Sequence, residues 1–91
     1  MRINDSIIYR FEEKLNNGAG ELYIFDIKNY KTYKGGKMGY EVLRLIDLGA
    51  NATEITIFLE EKYSITNCDR EVIHLINNLV AKQILIRDSA K

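Results

Sequence analysis

Residues 45–55 carry the turn between two helices and read Leu45-Ile46-Asp47-Leu48-Gly49-Ala50-Asn51-Ala52-Thr53-Glu54-Ile55. Gly49 follows the last apolar residue of a periodic run, where glycine commonly ends a helix because it accepts the left-handed backbone conformation. Asn51 is a good N-cap for the next helix, and Glu54 stands three residues later, as in a capping box. The stretch therefore predicts one helix that ends near residue 48 and another that begins at residue 52.

Amphipathic helices are predicted on both sides of this turn. Between residues 37 and 48 the apolar residues recur at helical spacing on one face, namely Met38, Val42, Leu45 and Ile46. Between residues 52 and 63 the corresponding stripe is Ile55, Phe58 and Leu59. A third helix is predicted at about residues 68–84, with Thr66 or Asn67 as its cap and acidic residues in its first turn, where the helix dipole favours them.

Alternating residues before the helices predict three strands. Residues 7–12 place Ile7, Tyr9 and Phe11 on one face. Residues 21–27 have apolar side chains in both alternating sets, which predicts a central strand covered on both faces. Residues 30–35 interleave lysine with aromatic and β-branched residues, as in an edge strand whose lysines prevent unwanted strand pairing. The predicted fold class is α+β, a three-stranded antiparallel sheet followed by three helices, winged helix-turn-helix-like, in a single domain over residues 1–91.

Composition argues against several classes of function. Thirteen basic and thirteen acidic residues cancel in this chain of 91 residues, so its net charge favours neither nucleic acid nor membrane as a partner. The single cysteine, Cys68, excludes a disulfide framework, and His74 has no partner at metal-binding spacing. No carboxylate pair or glycine-rich loop has a catalytic pattern. We expect no enzyme activity, no catalytic residues, no metal and no cofactor.

The N-terminal residues predict the compartment. They lack the basic and then apolar layout of a signal peptide. No apolar run approaches the roughly 20 residues needed to span a bilayer. The sequence therefore predicts a cytoplasmic protein.

The predicted third helix has more apolar surface than one core stripe needs. Its core stripe, within about 100° of arc, is Val72, Leu75, Ile76 and Leu79. A second stripe lies beside it and consists of Ile73, Val80 and Ile84, with Asn77 at its margin. This stripe either packs on the sheet or forms an apolar cleft beside the third strand. A cleft next to an edge strand suits β-augmentation by an extended peptide, and the lysines at positions 28, 31, 34 and 37 favour an acidic one.

Three helices and a hairpin also fit a small winged-helix DNA-binding regulator, which is the alternative function. A recognition helix should direct basic and amide side chains toward bases and phosphates. The third helix offers such side chains, but Asp69 and Glu71 stand among them. This mixture is a weak electrostatic footprint for DNA.

The order of hairpin, Gly-terminated helix, capped helix and final apolar helix resembles the PqqD-like family, the RiPP recognition elements that hold precursor peptides for their modifying enzymes. The resemblance covers about residues 22–86 and is carried by residues 45–55, Leu59, Tyr63, Glu71-Val72, Leu75-Ile76, Leu79 and residues 84–86. Departures from the family pattern are Gly35-Gly36 for Leu-Asn, Leu43 for Trp and Gln83 for Gly. They suggest a divergent branch.

The resemblance implies a stand-alone binder of the leader segment of a ribosomally synthesised, post-translationally modified peptide. The leader would add to the third strand and be presented to a modifying enzyme, either a radical SAM enzyme or a leader protease or cyclase. The predicted peptide-binding residues are Tyr30, Lys31, Thr32, Tyr33, Lys34, Ile73, Asn77, Val80 and Ile84. Partners are expected to include no nucleic acid and no membrane, and the open strand edge also predicts a weak homodimer without peptide.

Overall fold

The protein has the α+β architecture that its sequence predicts. A computed structural model describes residues 1–87, so residues 88–91 of the predicted domain lie outside the described residues. The elements, in chain order, are β1 (Arg2–Ile3), β2 (Ile7–Glu12), β3 (Glu21–Asp26), β4 (Lys31–Gly35), α1 (Lys37–Asp47), α2 (Ala52–Tyr63), α3 (Asp69–Ala81) and β5 (Leu85–Ile86). A three-stranded antiparallel sheet followed by three helices confirms the predicted fold class.

The main sheet has the strand order β2-β3-β4, with β3 in the centre. The buried side chains of β3 are Leu22, Ile24 and Asp26, which alternate and therefore share one face. On the opposite face Phe25 is 39% exposed, and its cross-strand neighbour Ile8 is 54% exposed. The prediction that the central strand is covered on both faces is wrong, because the core covers one face of the sheet only.

A second, two-stranded sheet joins the two ends of the described chain, and the sequence did not predict it. Strand β1 pairs antiparallel with β5, with Ile3 opposite Leu85. Just beyond the pair, the backbone N–H of Asn4 donates to the carbonyl of Ile84 at 2.9 Å, and its side-chain amide donates to the carbonyl of Gln83 at 2.9 Å. Strands of two residues have no periodicity to read, so this pairing is visible only in three dimensions.

Helix α3 ends earlier than predicted, at Ala81 instead of residue 84. The backbone N–H of Gln83 donates to the carbonyl of Val80 at 2.9 Å, and that of Ile84 donates to the carbonyl of Leu79 at 2.9 Å. These two bonds form a Schellman motif, whose turning residue adopts a left-handed conformation. That residue is Gln83, at φ +62°. The turn carries Ile84 into the core.

Gln83→Gly is expected to stabilise the fold. A side chain in the left-handed region costs about 1 kcal/mol or more, and glycine avoids that cost. Helix α1 has the same motif with Gly49 at φ +98° in the turning position. The reverse change, Gly49→Gln, should therefore destabilise the protein by a similar amount. Chemical denaturation measures both, and a less stable Gln83→Gly variant would contradict the expectation.

The N-termini of α2 and α3 are capped differently. The predicted capping box of α2 is present: the Asn51 side chain accepts from the Glu54 N–H, and the Glu54 carboxylate accepts from the Asn51 N–H, each at 2.9 Å. Helix α3 begins after Cys68, not after the predicted caps Thr66 or Asn67. The backbone N–H of Cys68 donates to Glu60 Oε2 at 3.2 Å. Burial raises the pKa of the Cys68 thiol above its ordinary value, which disfavours the reactive thiolate.

A buried carboxylate joins α1 to α2, and sequence patterning did not reveal it. The Glu41 side chain is only 3% exposed. Its Oε1 accepts from Arg44 Nη2 at 2.9 Å, and its Oε2 accepts from the Lys62 ammonium and from the Tyr63 hydroxyl, the latter at 3.3 Å. Burial alone would raise the pKa of Glu41, but the hydrogen bonds from Lys62 and Arg44 outweigh it and hold the pKa below its ordinary value.

Candidate functional site: a groove between β4 and α3

Strand β4 forms an open edge of the main sheet. Within residues 1–87 it pairs with β3 on one side and with no strand on the other. The side chains of Thr32 and Lys34 are exposed, whereas that of Tyr33 is half-buried and shares the inner face with Ile24. An unpaired strand edge presents a row of free N–H and C=O groups to an incoming chain.

The hydrogen-bond ladder identifies which residues of β3 pair with β4. The backbone N–H of Ile27 donates to the carbonyl of Ser6 at 3.0 Å, one step beyond the pairing of Asp26 with Ile7. In antiparallel ladders, hydrogen-bonded and non-hydrogen-bonded pairs alternate along the strand. Residues 21, 23 and 25 of β3 therefore direct their backbone groups to β2, and residues 22, 24 and 26 direct theirs to β4.

The same alternation assigns the backbone groups of β4. Tyr33 stands opposite Ile24, and Lys31 stands opposite Asp26. The N–H and C=O groups of Lys31 and Tyr33 therefore pair with β3, whereas those of Thr32 and Lys34 point to the open edge. Of the four predicted edge residues, these two offer backbone hydrogen bonds to an added strand.

One flank of α3 faces this edge. The Lys82 ammonium at the end of the helix lies 5.7 Å from the centroid of the Tyr33 ring and donates to Asn78 Oδ1 at 2.8 Å. Near the start of the helix, Glu71 and Leu75 border a small pocket together with Met38, which stands three residues after β4. From the contact of Lys82 with Tyr33 we infer that the flank formed by Glu71, Leu75, Asn78 and Lys82 lies alongside β4, and we call the space between them the β4–α3 groove.

The pocket between Met38 and Leu75 is apolar, and its walls come from α1, α2, α3 and Cys68, not from β4. Its volume is about 40 Å³, and besides Met38, Glu71 and Leu75 its walls are Val42, Leu59, Cys68 and Val72. Met38 is 42% exposed, although its periodicity placed it on the core face of α1. The pocket is therefore an opening into the core that one apolar side chain can enter.

The structure does not bring the predicted second stripe of α3 to β4. Ile73 and Asn77 stand two residues after Glu71 and Leu75, which is about 200° around the helix, on the far flank. Ile73 is 50% exposed beside α2, where it borders a depression lined by Ala52, Thr53, Thr56 and Ile57. The Asn77 side-chain carbonyl accepts from Arg87. The structure therefore places both residues on the flank of α3 away from Lys82, and their role in peptide binding stays a prediction.

The structure places Val80, Ile84 and Tyr30, the remaining predicted residues, in three different environments. Val80 is partly buried and packs against the core, again about 200° from Asn78. Ile84 is fully buried, and both of its backbone groups are already bonded within the fold, so its predicted place in an open cleft is wrong. Tyr30 is 92% exposed in the turn before β4 at φ +55°. Sequence reasoning missed the groove residues Met38, Glu71, Leu75, Asn78 and Lys82, because three of them are polar and two were assigned to the core.

Two classes of feature are absent from the part of the chain that the structure describes. No group of three or more His, Cys, Asp or Glu side chains is arranged to hold a metal ion among residues 1–87. No helix in the same range is long and apolar enough to cross a membrane.

Comparison with known proteins supports the fold. No family model matches this chain, and no curated protein matches it by sequence. Among solved structures, it is similar to TbiB1 in complex with the TbiA(beta) leader peptide, at 16% sequence identity and a TM-score of 0.82. The match covers 99% of this chain and 100% of the other. At this identity the likeness establishes a shared fold, and it confirms the fold implied by the resemblance to the PqqD-like family.

Proposed function

We propose that this protein is a stand-alone, non-catalytic binder of the leader segment of a ribosomally synthesised, post-translationally modified peptide. The observation that carries the proposal is the open edge of β4 beside a groove with an apolar pocket. The likeness to TbiB1, whose structure contains a leader peptide, supports the same function. It favours peptide binding over the alternative of a DNA-binding regulator.

The leader would bind as an added strand. Its backbone would pair with the outward N–H and C=O groups of Thr32 and Lys34, which supply register. Its alternate side chains would point into the groove, where one enters the pocket between Met38 and Leu75. Tyr33 and Lys82 would contact the peptide at the other end.

Delivery to a modifying enzyme is part of the same proposal. A radical SAM enzyme or a leader protease or cyclase would receive the bound precursor, as the family resemblance implies. Without a leader, the edge at Thr32 and Lys34 could pair with a second copy of the chain, because an unpaired edge accepts any extended strand. The leader would then disperse this weak homodimer.

Calorimetric titration with the leader peptide encoded at the protein's own locus tests the proposal. Ordering a disordered leader costs about 2 to 5 kcal/mol, so a micromolar Kd, about −8 kcal/mol, requires both strand pairing and the pocket. We expect binding near that value and none to duplex DNA. Salt-sensitive DNA binding without affinity for the peptide would overturn the proposed function.

A further inference from the structure

We infer that the β4–α3 groove selects a directional motif, an aliphatic residue followed four positions later by an acidic residue. The inference rests on the proposed function, because it assumes that a peptide binds as an added strand on β4. It goes further by specifying the peptide's chemistry, its direction and its spacing.

The two ends of the groove differ in charge. At the end where α3 begins, the apolar pocket between Met38 and Leu75 has Glu71 on its wall. At the end where α3 finishes, the Lys82 ammonium lies near the Tyr33 ring, and Lys31 is exposed on the adjoining strand. Lys34 and Lys37 are also exposed near the first end, so the Glu71 carboxylate in the pocket wall is the group that disfavours an acidic side chain there, whereas Lys82 attracts one at the second end.

The direction of the chain follows from the order of these ends. Strand β4 runs from the Lys82 end toward Met38, because α1 follows it directly. An antiparallel partner runs the opposite way, and antiparallel pairing is slightly more stable per residue than parallel pairing. The peptide would therefore enter at the pocket and leave at Lys82. Its aliphatic residue must precede its acidic residue.

The spacing follows from the length of α3 between the two ends, with the helix axis taken to run alongside β4. The part of α3 that walls the pocket is centred near Val72, and Lys82 follows it by ten residues. Ten helical residues rise about 15 Å. An extended peptide covers that distance in about four residues at about 3.4 Å each, and an even number keeps both side chains on the same face.

The size of the pocket limits the first residue. Its volume of about 40 Å³ is far below the roughly 150 Å³ of a cavity that admits benzene. A pocket of this size favours the tip of a leucine, isoleucine, valine or methionine over an aromatic ring. Aliphatic side chains are therefore favoured.

A random dodecapeptide library displayed on phage, selected against the full chain, tests the inference. We expect enriched peptides to share an aliphatic residue and, four positions later, Asp or Glu. Replacing the acidic residue of a selected peptide by Thr should weaken binding about fivefold, the upper range for an exposed charge pair. The same replacement should have little effect on the Lys82→Glu variant, whereas Lys14→Glu, in the loop between β2 and β3, should behave like the parent protein.

The outcomes separate this inference from the proposed function. Each selected peptide is also titrated against Thr32→Pro, which blocks the strand edge, and circular dichroism verifies that every variant is folded. Peptides that need this edge but share another motif would overturn the inference and leave the proposed function standing. Selection of no peptide that depends on the edge would overturn both. Enrichment of the reversed order, acidic before aliphatic, would overturn the inferred direction.

Discussion

Proline at Thr32 and proline at the adjacent Tyr33 are expected to have opposite effects. The N–H of Thr32 points to the open edge, so Thr32→Pro removes a donor that the fold does not use and should leave the domain folded. An added strand needs that donor, and leader affinity should fall at least about tenfold, about 1.4 kcal/mol. The N–H of Tyr33 pairs with Ile24 across the sheet, so Tyr33→Pro removes a ladder hydrogen bond and should cost about 1 to 3 kcal/mol of stability.

Thermal unfolding and calorimetric titration together measure this contrast. Thr32→Ala is the matched control for the first variant, because it removes the side chain and keeps the backbone donor. It should bind the leader nearly as well as the parent. Two proline variants that fold and bind equally well would rule out strand addition at β4, and a reversed pattern would show that the ladder register is wrong.

Glu41→Gln is expected to be among the most destabilising single changes in the chain. The carboxylate is nearly fully buried and receives hydrogen bonds from Arg44, Lys62 and Tyr63. Removing one partner of a buried ion pair costs about 3 to 5 kcal/mol. Arg44 and Lys62 are 35% and 41% exposed, so water compensates part of the loss, and we expect about 2 to 3 kcal/mol by urea denaturation.

The same carboxylate should make the stability depend on pH. The pKa of Glu41 lies below its ordinary value of 4.5 in the folded protein, so the ionised carboxylate stabilises the folded state more than the protonated carboxyl group does. Its contribution is fully present above about pH 4.5 and is lost as the pH falls through the folded-state pKa. The difference in unfolding free energy between the parent and Glu41→Gln should therefore shrink as the solution becomes more acidic.

Glu61→Gln provides the control for this experiment. Glu61 is an exposed acidic residue on α2, adjacent in sequence to Lys62. Its replacement should change stability by less than about 0.5 kcal/mol. A similar loss at both positions, or a Glu41→Gln effect that does not change between neutral and acidic pH, would mean that the buried ion network contributes little to folding.

Local sequence was sufficient where an element's limits depend on its own residues. Helix α2 spans the predicted range of residues 52–63, because Asn51 and Glu54 satisfy the free N–H groups at its start without help from other elements. The alternation in β2 likewise predicted that Ile7 and Ile8 lie on opposite faces, and the structure buries Ile7 and exposes Ile8. Such features follow from hydrogen bonds and periodicity within a few residues, which is the range that a sequence pattern covers.

The existence of an edge strand beside an apolar helix was also predicted from the sequence, but the helix flank that forms the groove was not. The core stripe of α3 is bordered by one helix flank on each side. The more apolar flank, which contains Ile73, faces α2. Helical periodicity is symmetric about the core stripe, so it cannot tell which flank meets the sheet. The contact of Lys82 with Tyr33 identifies the flank that contains Lys82 as the one that faces β4.

Contacts between residues far apart in the chain also decided where α3 ends and how Glu41 is buried. The predicted helix continued to residue 84 because its apolar spacing continues, but Ile84 instead accepts a hydrogen bond from Asn4 at the opposite end of the chain. In the sequence Glu41 resembles a solvated acidic residue, and its burial depends on Lys62, which α2 positions beside it. These features depend on the free energy of long-range packing and pairing, which overrides local preference and has no counterpart in the order of neighbouring residues.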